Sequence, residues 1–309
     1  MSLNPRSSPA PEATPSSFYS AKFWQLGLAL ARRLPPGITE AICRTAATLY
    51  FLTNRSRREV VVENLLPAVN GDRAKANRTA RKLFQQFALK LVDLWRYESG
   101  SPVEDLFGEW TGWEHFQNAQ NEKRGILLLT PHLGNWEFGA PLLAKRGVKL
   151  LVITLEEPDS KLTEMRKASR ERWGIETLVL GRDTFAFVEI MRRLESGATV
   201  ALLVDRPPVN TATTVELFGQ PFASSISAAE LARATNCILL PVYLPRIGEK
   251  YAAHILPQIP YDRPALRQPE ARQKLTQEIM RAFEPVIRQH IEQWYHFVPI
   301  WQKDPDERR

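Results

Sequence analysis

The chain reads as an α/β protein, with a largely parallel sheet flanked by helices and a helical region ahead of it. Two observations lead there. From about Gly125 onward, short continuous apolar runs alternate with segments of helical spacing, and apolar runs that do not alternate in and out imply strands buried on both faces. Before that point the periodicity is helical, and basic residues are strewn along it.

Taken in order, residues 1–20 are rich in Pro and Ser, nearly free of large apolar side chains, and read as unstructured. Residues 21–100 read as a helical, membrane-associating region. In it the apolar stretch 23–31 ends at Arg32 and Arg33, the stretch 41–52 contains Arg44, and Pro35, Pro36 and Gly37 separate the two. Neither approaches the roughly 18 to 20 uninterrupted apolar residues of a spanning helix. Arginines beside large apolar side chains suit a helix lying in a membrane interface, and equally an amphipathic helix facing a core. Residues 72–98 then place Leu83, Phe84, Phe87, Leu91, Leu94 and Trp95 at helical spacing, opened by Arg73, Lys75, Arg78, Arg81 and Lys82. Those cations form either a solvated face or a patch for anionic lipid head groups.

Residues 101–300 form the α/β domain. Strands are predicted at 125–130 (GILLLT), 148–154 (VKLLVIT), 177–180, 199–204 (TVALLV) and 237–244 (CILLPVYL). Helices are predicted at 137–145, 161–173, 184–194 and 227–235. Residues 215–222 (VELFGQPF) read as a lip or hairpin beside the site, lining an acyl groove or simply packing in the core. Leu275, Ile279, Phe283, Ile287, Ile291 and Trp294 make an apolar stripe that predicts a helix over 269–294. The polar tail 301–309 reads as frayed.

A hydrophobic fraction of 44% and a charged fraction of 24% exclude disorder for most of the chain. The net charge of +7 points to an anionic partner without choosing among nucleic acid, phospholipid and a phosphorylated carrier. Basic residues spread through amphipathic helices, with no recognised nucleic-acid module, argue against nucleic acid. Cys43 and Cys237 have neither metal-ligand spacing nor the density of a disulfide scaffold. No G-x-S-x-G elbow, P-loop, G-x-G-x-x-G fingerprint or H-E-x-x-H pair is present, so no metal and no cofactor is expected.

The chemistry concentrates in residues 125–143, GILLLTPHLGNWEFGAPLL, where an apolar strand runs into Thr130-Pro131-His132 and a helix begins near Asn135 or Trp136. Five residues apart, His132 and Glu137 would lie about 140° apart on a regular helix, so His132 belongs to the turn. At the carboxyl end of a strand it stands where open α/β sheets hold their ligands. Glu137, in the first helical turn, is expected to stay ionised and to accept a hydrogen bond from one imidazole nitrogen, leaving the other to take a proton from a substrate hydroxyl. Asn135 is expected to cap the helix. Asp205 and Arg206 follow the TVALLV strand into the same crevice, where Arg206 is a candidate for a phosphate or developing negative charge; an ordinary strand-ending ion pair is the alternative. Arg182 is a second candidate for an anionic head group. His115, His254, His290 and His296 lack such contexts and read as surface or packing residues.

The strand-PHLGNWE-helix stretch resembles the H-x4-D/E motif of the lysophospholipid acyltransferase superfamily, and is similar in particular to the bacterial lipid A late acyltransferase family. Residues 182–197, 201–206 (ALLVDR), 215–222 and 228–245 resemble successive blocks of that family in the same order, and Gln293-Trp294-Tyr295 resembles its closing motif. The resemblance covers roughly residues 20–300. It implies transfer of a fatty acyl chain from acyl-acyl carrier protein or acyl-CoA to a hydroxyl of a membrane lipid, foremost a lipid A precursor, otherwise another glycolipid or a lysophospholipid. It further implies work at an anionic membrane surface on the cytoplasmic face of the bacterial inner membrane. His132 and Glu137 are then the catalytic pair, with Arg206, Asp205, Arg182 and Asn135 at the substrate. A lipid-binding protein that kept the fold without catalysis is the competing reading.

Overall fold

The computed structural model describes residues 20–157, 159–180, 186–207 and 211–301. Four helices lead: α1 (Ala21–Arg33), α2 (Pro36–Thr53), α3 (Arg55–Leu65) and α4 (Arg73–Glu98). Next come β1 (Phe107–Thr111), α5 (Trp113–Asn121), β2 (Ile126–Thr130), α6 (Gly139–Lys145), β3 (Leu150–Leu155), α7 (Ser160–Arg172), β4 (Glu176–Leu180), α8 (Ala186–Glu195) and β5 (Thr199–Leu203). The chain closes with β6 (Ala212–Leu217), β7 (Gln220–Ser225), α9 (Ser227–Thr235), β8 (Ile238–Tyr243), β9 (Arg246–Ile247), β10 (Lys250–Ile255) and α10 (Pro269–Gln289).

The main sheet has the order β1-β10-β8-β2-β5-β3-β4, with β9 on β10. Pairing is parallel throughout except at β10–β8 and β10–β9. β2 lies at the centre and is buried along its whole length, which is why its sequence is apolar without alternation. Leu127 and Leu129 join Val200, Leu239, Ile279 and Phe283 in a core layer beneath α8, α9 and α10. Leu128 points the other way, into a layer with Phe116, Ala140, Leu143, Leu150 and Leu240 beneath α5 and α6.

Every predicted strand is present, within two residues at either end. β1 and β10 were not foreseen, because FGEWT and KYAAHI interrupt their apolar residues with charged and small ones. The expected hairpin at 215–222 is real, as β6 and β7 pair antiparallel. Its buried apolar residues, Val215, Leu217, Phe218 and Phe222, belong to the core under α10, as the packing reading has it, and none of them lines the apolar cavity described below. The predicted helix over 269–294 stops at Gln289, and Trp294 leaves the helix to enter the core at 1% exposure. Arg182 lies outside the described residues.

The helical region packs on one end of this frame. Phe51, Leu83 and Phe84 cluster with Tyr295 from the C-terminal segment. The Trp24 indole N–H donates to Glu98 at 2.7 Å, tying α1 to α4. α2 leaves Ile38, Ile42, Leu49 and Leu52 between 46% and 57% exposed, and α1 does the same with Leu26. Among the described residues no helix is long and apolar enough to cross a membrane.

Leu127 is fully buried and Leu26 is 56% exposed. Leu127→Ala should therefore cost about 2–5 kcal/mol in urea unfolding, whereas Leu26→Ala should change stability by no more than about 0.5 kcal/mol. Equal losses in the two variants would contradict the assigned core.

Candidate active site

β2 ends at Thr130, and the chain turns through Pro131-His132-Leu133-Gly134 before a short 3-10 turn at Trp136–Phe138 leads into α6. Gly134 makes the turn possible: its φ is +62°, and a Cβ there would stand 1.9 Å from the Leu244 carbonyl oxygen. The turn is stitched to the C-terminal segment. The Gly134 N–H donates to the Gln293 carbonyl at 3.0 Å, the Tyr295 N–H donates to the His132 carbonyl at 2.8 Å, and the Asn135 N–H donates to the Leu244 carbonyl at 2.9 Å. His132 is thus held by backbone bonds on both sides.

Its ring is fixed by Asp205, two residues beyond the end of β5. His132 Nδ1 lies 2.7 Å from Asp205 Oδ1, and the His132 N–H donates to both carboxylate oxygens at 3.1 and 2.9 Å. Asp205 Oδ2 also accepts from the Trp294 indole N–H at 2.8 Å and faces His296 Nε2 at 3.0 Å. Burial opposes ionisation of Asp205, but the two imidazoles and their hydrogen bonds hold its carboxyl well below the usual range. An ionised carboxylate only accepts, which assigns the proton to Nδ1 of His132 and to Nε2 of His296. Among the described residues nothing bonds Nε2 of His132, whose side chain is 15% exposed. Burial lowers the pKa of His296 against the pull of Asp205, keeping that ring neutral.

Glu137 sits elsewhere. It pairs with Arg166 and, at 2.9 Å, with Arg170, both from α7. Burial works against its charge, yet those two guanidiniums, with Lys90, hold its carboxyl below the ordinary range. The expected hydrogen bond from the His132 ring to Glu137 is therefore corrected: Asp205 takes that place. The cause is local, because the 3-10 turn after Gly134 aims Glu137 across toward α7. Asn135 heads this turn but its side chain makes no capping bond; it is fully buried, and neither amide atom has a partner among the described residues. Arg206 is exposed beside Asp205, with its charge felt at His296. His296, read from sequence as a surface or packing residue, is part of the network. Nothing in the sequence marked it except its place directly after the Gln293-Trp294-Tyr295 motif.

Trp136 joins the polar network to an apolar cavity. Its ring meets the His132 ring edge-on at 5.0 Å between centroids, and Lys90 Nζ lies 3.0 Å above its ring centre. The same indole, with Glu137, lines a cavity of about 910 Å³, open mouth included, between α6 and the sheet. Leu128, Ala201 and Val242 form its floor, and Gly139, Ala140 and Leu143 its roof.

His132, Asp205 and His296 place ligand-type atoms within 4.8 Å of one another. Their arrangement suits hydrogen bonding better than coordination, since the Trp294 N–H points at the carboxylate where a cation would have to sit.

Comparison with known proteins supplies a family. Residues 15–303 match the family model described as bacterial lipid A biosynthesis acyltransferase. Curated relatives include proteins named phosphatidylinositol mannoside acyltransferase. The one from Mycolicibacterium smegmatis is 26% identical over 93% of this chain and 91% of its own length. Two from Mycobacterium tuberculosis strains are 28% identical over 64% of this chain, and the match spans 61% of their length.

Asp205, ionised at lower pH in the fold than in the unfolded chain, stabilises the protein above about pH 4, the ordinary aspartate value, and ceases to do so as pH falls through its depressed folded value. In urea melts across pH, Asp205→Asn should be less stable than the parent by a constant margin near neutrality, and the margin should shrink below about pH 4. A margin that is flat down to acid pH would mean that Asp205 is not ionised in the fold.

Proposed function

This chain belongs to the bacterial lipid A biosynthesis acyltransferase family, and from that premise we propose that it moves a fatty acyl chain from a thioester donor to a hydroxyl of a glycolipid, with His132 as base and Asp205 as its partner. The observation that carries the reading is an imidazole fixed through Nδ1 to a buried carboxylate, its ring edge-on to Trp136, which itself lines an apolar cavity. A lipid hydroxyl hydrogen-bonds to Nε2, which removes its proton as the oxygen attacks the thioester carbonyl. Asp205 stabilises the imidazolium so formed. The tetrahedral intermediate collapses, the C–S bond breaks, and the departing thiolate takes the proton from Nε2. The acyl chain lies in the cavity, while Arg206 and Arg182 serve phosphate groups. Glu137 is a positioning residue that holds the Trp136 turn against α7, and Asn135 supports the same turn from beneath.

The donor is acyl-acyl carrier protein or acyl-CoA. For the acceptor, the family description favours a lipid A precursor and the relatives' names favour a mannosylated phosphatidylinositol. Both are phosphorylated sugar lipids, which fits a basic chain of net charge +7. The protein works from the surface of the inner membrane on its cytoplasmic face. The exposed apolar side chains of α2 enter the interface, and Arg44, Arg55, Arg81 and Lys82, exposed on α2, α3 and α4, meet anionic head groups.

Purified protein supplied with acyl-CoA and vesicles of bacterial inner-membrane lipid should release free thiol. His132→Ala should abolish that release with the fold and vesicle binding intact, and Asp205→Asn should lower kcat by about a hundred- to ten-thousand-fold. Glu137→Gln should show the smaller loss of the two carboxylate variants; undiminished turnover in His132→Ala would sink the mechanism. Mass spectrometry of the acylated product then separates lipid A precursor from mannolipid.

For membrane attachment, the double variant Ile42→Asp with Leu49→Asp should sediment with anionic vesicles far less than the parent. Unchanged sedimentation would remove α2 from the docking surface.

A further inference from the structure

The cavity crosses five strands, β10, β8, β2, β5 and β3, a width of about 19 Å at about 4.8 Å per strand spacing. His132 follows the middle strand, and the lining divides there into an arm over β5 and β3 and an arm over β8 and β10. The arm over β5 and β3 ends in polar company: Thr154, Arg170 and Glu137 line it, and the last two form an ion pair. The arm over β8 and β10 presents Val242, Leu244, Ala253 and Ile255. A hydrocarbon chain leaves the buried charges undisturbed only in the second arm.

That second arm has a built end. Trp110 and Phe116 close it, and Trp113 stands between them, 5.0 Å from each by ring centroids and stacked on Phe116 at 24°. On the solvent side the exposed Arg146 guanidinium lies 4.8 Å from the Trp110 ring centre and 4.2 Å from that of Trp113. Gly112 fixes the corner between β1 and α5 with φ +74°, where a Cβ would stand 2.0 Å from the Ile255 carbonyl oxygen. The ladder is thus tied to β10 by backbone and clamped from outside by a cation. Ala253 is the register partner of Trp110 across the β1–β10 pair, and its single methyl leaves the space in front of the wall.

We propose that the Trp110-Trp113-Phe116 ladder is the end stop of the acyl site and that, with Ala253, it sets the longest chain the enzyme accepts. The proposal rests on the reading of the cavity as the donor's acyl site. It makes Trp110 and Ala253 specificity-determining residues, remote from the reacting atoms. The two arms also predict opposite behaviour for two alanines: Ala253 lines the arm that holds the chain, and Ala201, on β5, lines the floor of the arm that does not.

The test is thiol release by the full chain with a graded series of saturated acyl-CoA thioesters and inner-membrane lipid vesicles. Ala253→Leu should cut kcat/KM for the longest accepted chains by about ten-fold or more while shorter chains lose little. Ala201→Leu should leave the length profile in place, and Trp110→Leu should extend it to longer chains. If Ala253→Leu does not fold, Trp110→Leu carries the test alone, and an unmoved upper limit in it overturns the proposal. A profile shortened by Ala201→Leu, or left intact by a folded Ala253→Leu, also overturns it. Parent protein that turns over no thioester of any length would instead refute the acyl-transfer reading on which the proposal stands.

Discussion

The structure around the site depends on one buried charge. Asp205 has no exposed side-chain surface, and a carboxylate taken out of water costs several kcal/mol unless hydrogen bonds replace its hydration. Four N–H groups replace it: the backbone and ring of His132, the indole of Trp294 and the ring of His296. They come from the turn after β2 and from the segment after α10, so satisfying Asp205 requires both to converge on the end of β5. Backbone bonds from Gly134 and Tyr295 lie beside it and run between the same two segments. The closure that completes the core around Trp294 and the closure that aims His132 are a single event.

Glu137 is buried and ionised as well, yet the two carboxylates are not equivalent. What separates them is the chemistry of their partners. The arginines on Glu137 keep their protons at any working pH, so those two ion pairs hold geometry and pass no proton. The imidazole on Asp205 is the one partner type whose ordinary titration falls near neutrality. Asp205 is bonded directly to groups of that type, whereas the groups bonded to Glu137 are guanidiniums.

The same distinction explains what could be read from the sequence. The sheet was legible because both faces of β2, β3, β5 and β8 are covered, which forces continuous apolar runs, and His132 was legible because it interrupts such a run at its carboxyl end. The partner of His132 was misjudged because nearness along the chain stood in for nearness in space. Glu137 is five residues away and turned toward α7, while Asp205 is 73 residues away and in contact. His296 lies 91 residues from Asp205, and no spacing rule links the two. Arg166 and Arg170 lie 29 and 33 residues from Glu137, and no spacing rule links them to it. Lys90 was hidden likewise, since a lysine inside an amphipathic stripe reads as the polar side although this one is 4% exposed.

Lys90 shows how the polar and apolar halves of the site are joined. Burial drives its pKa well below the ordinary lysine value against the opposing pull of Glu137, and its nitrogen rests on the Trp136 ring, where the π face takes the place of water. The indole so held meets His132 at one edge and the cavity with its own surface. It can neither swing into the cavity without uncovering Lys90 nor tilt without crowding the imidazole. In the proposed reaction this one side chain would be the boundary between hydrocarbon and proton transfer, and a thioester carbonyl there would have its acyl chain on the cavity side and the His132 ring on the other. In the proposed reaction, a base 15% exposed would leave little room for bulk water to compete with the lipid hydroxyl, and the packing that fixes the ring would favour transfer over hydrolysis.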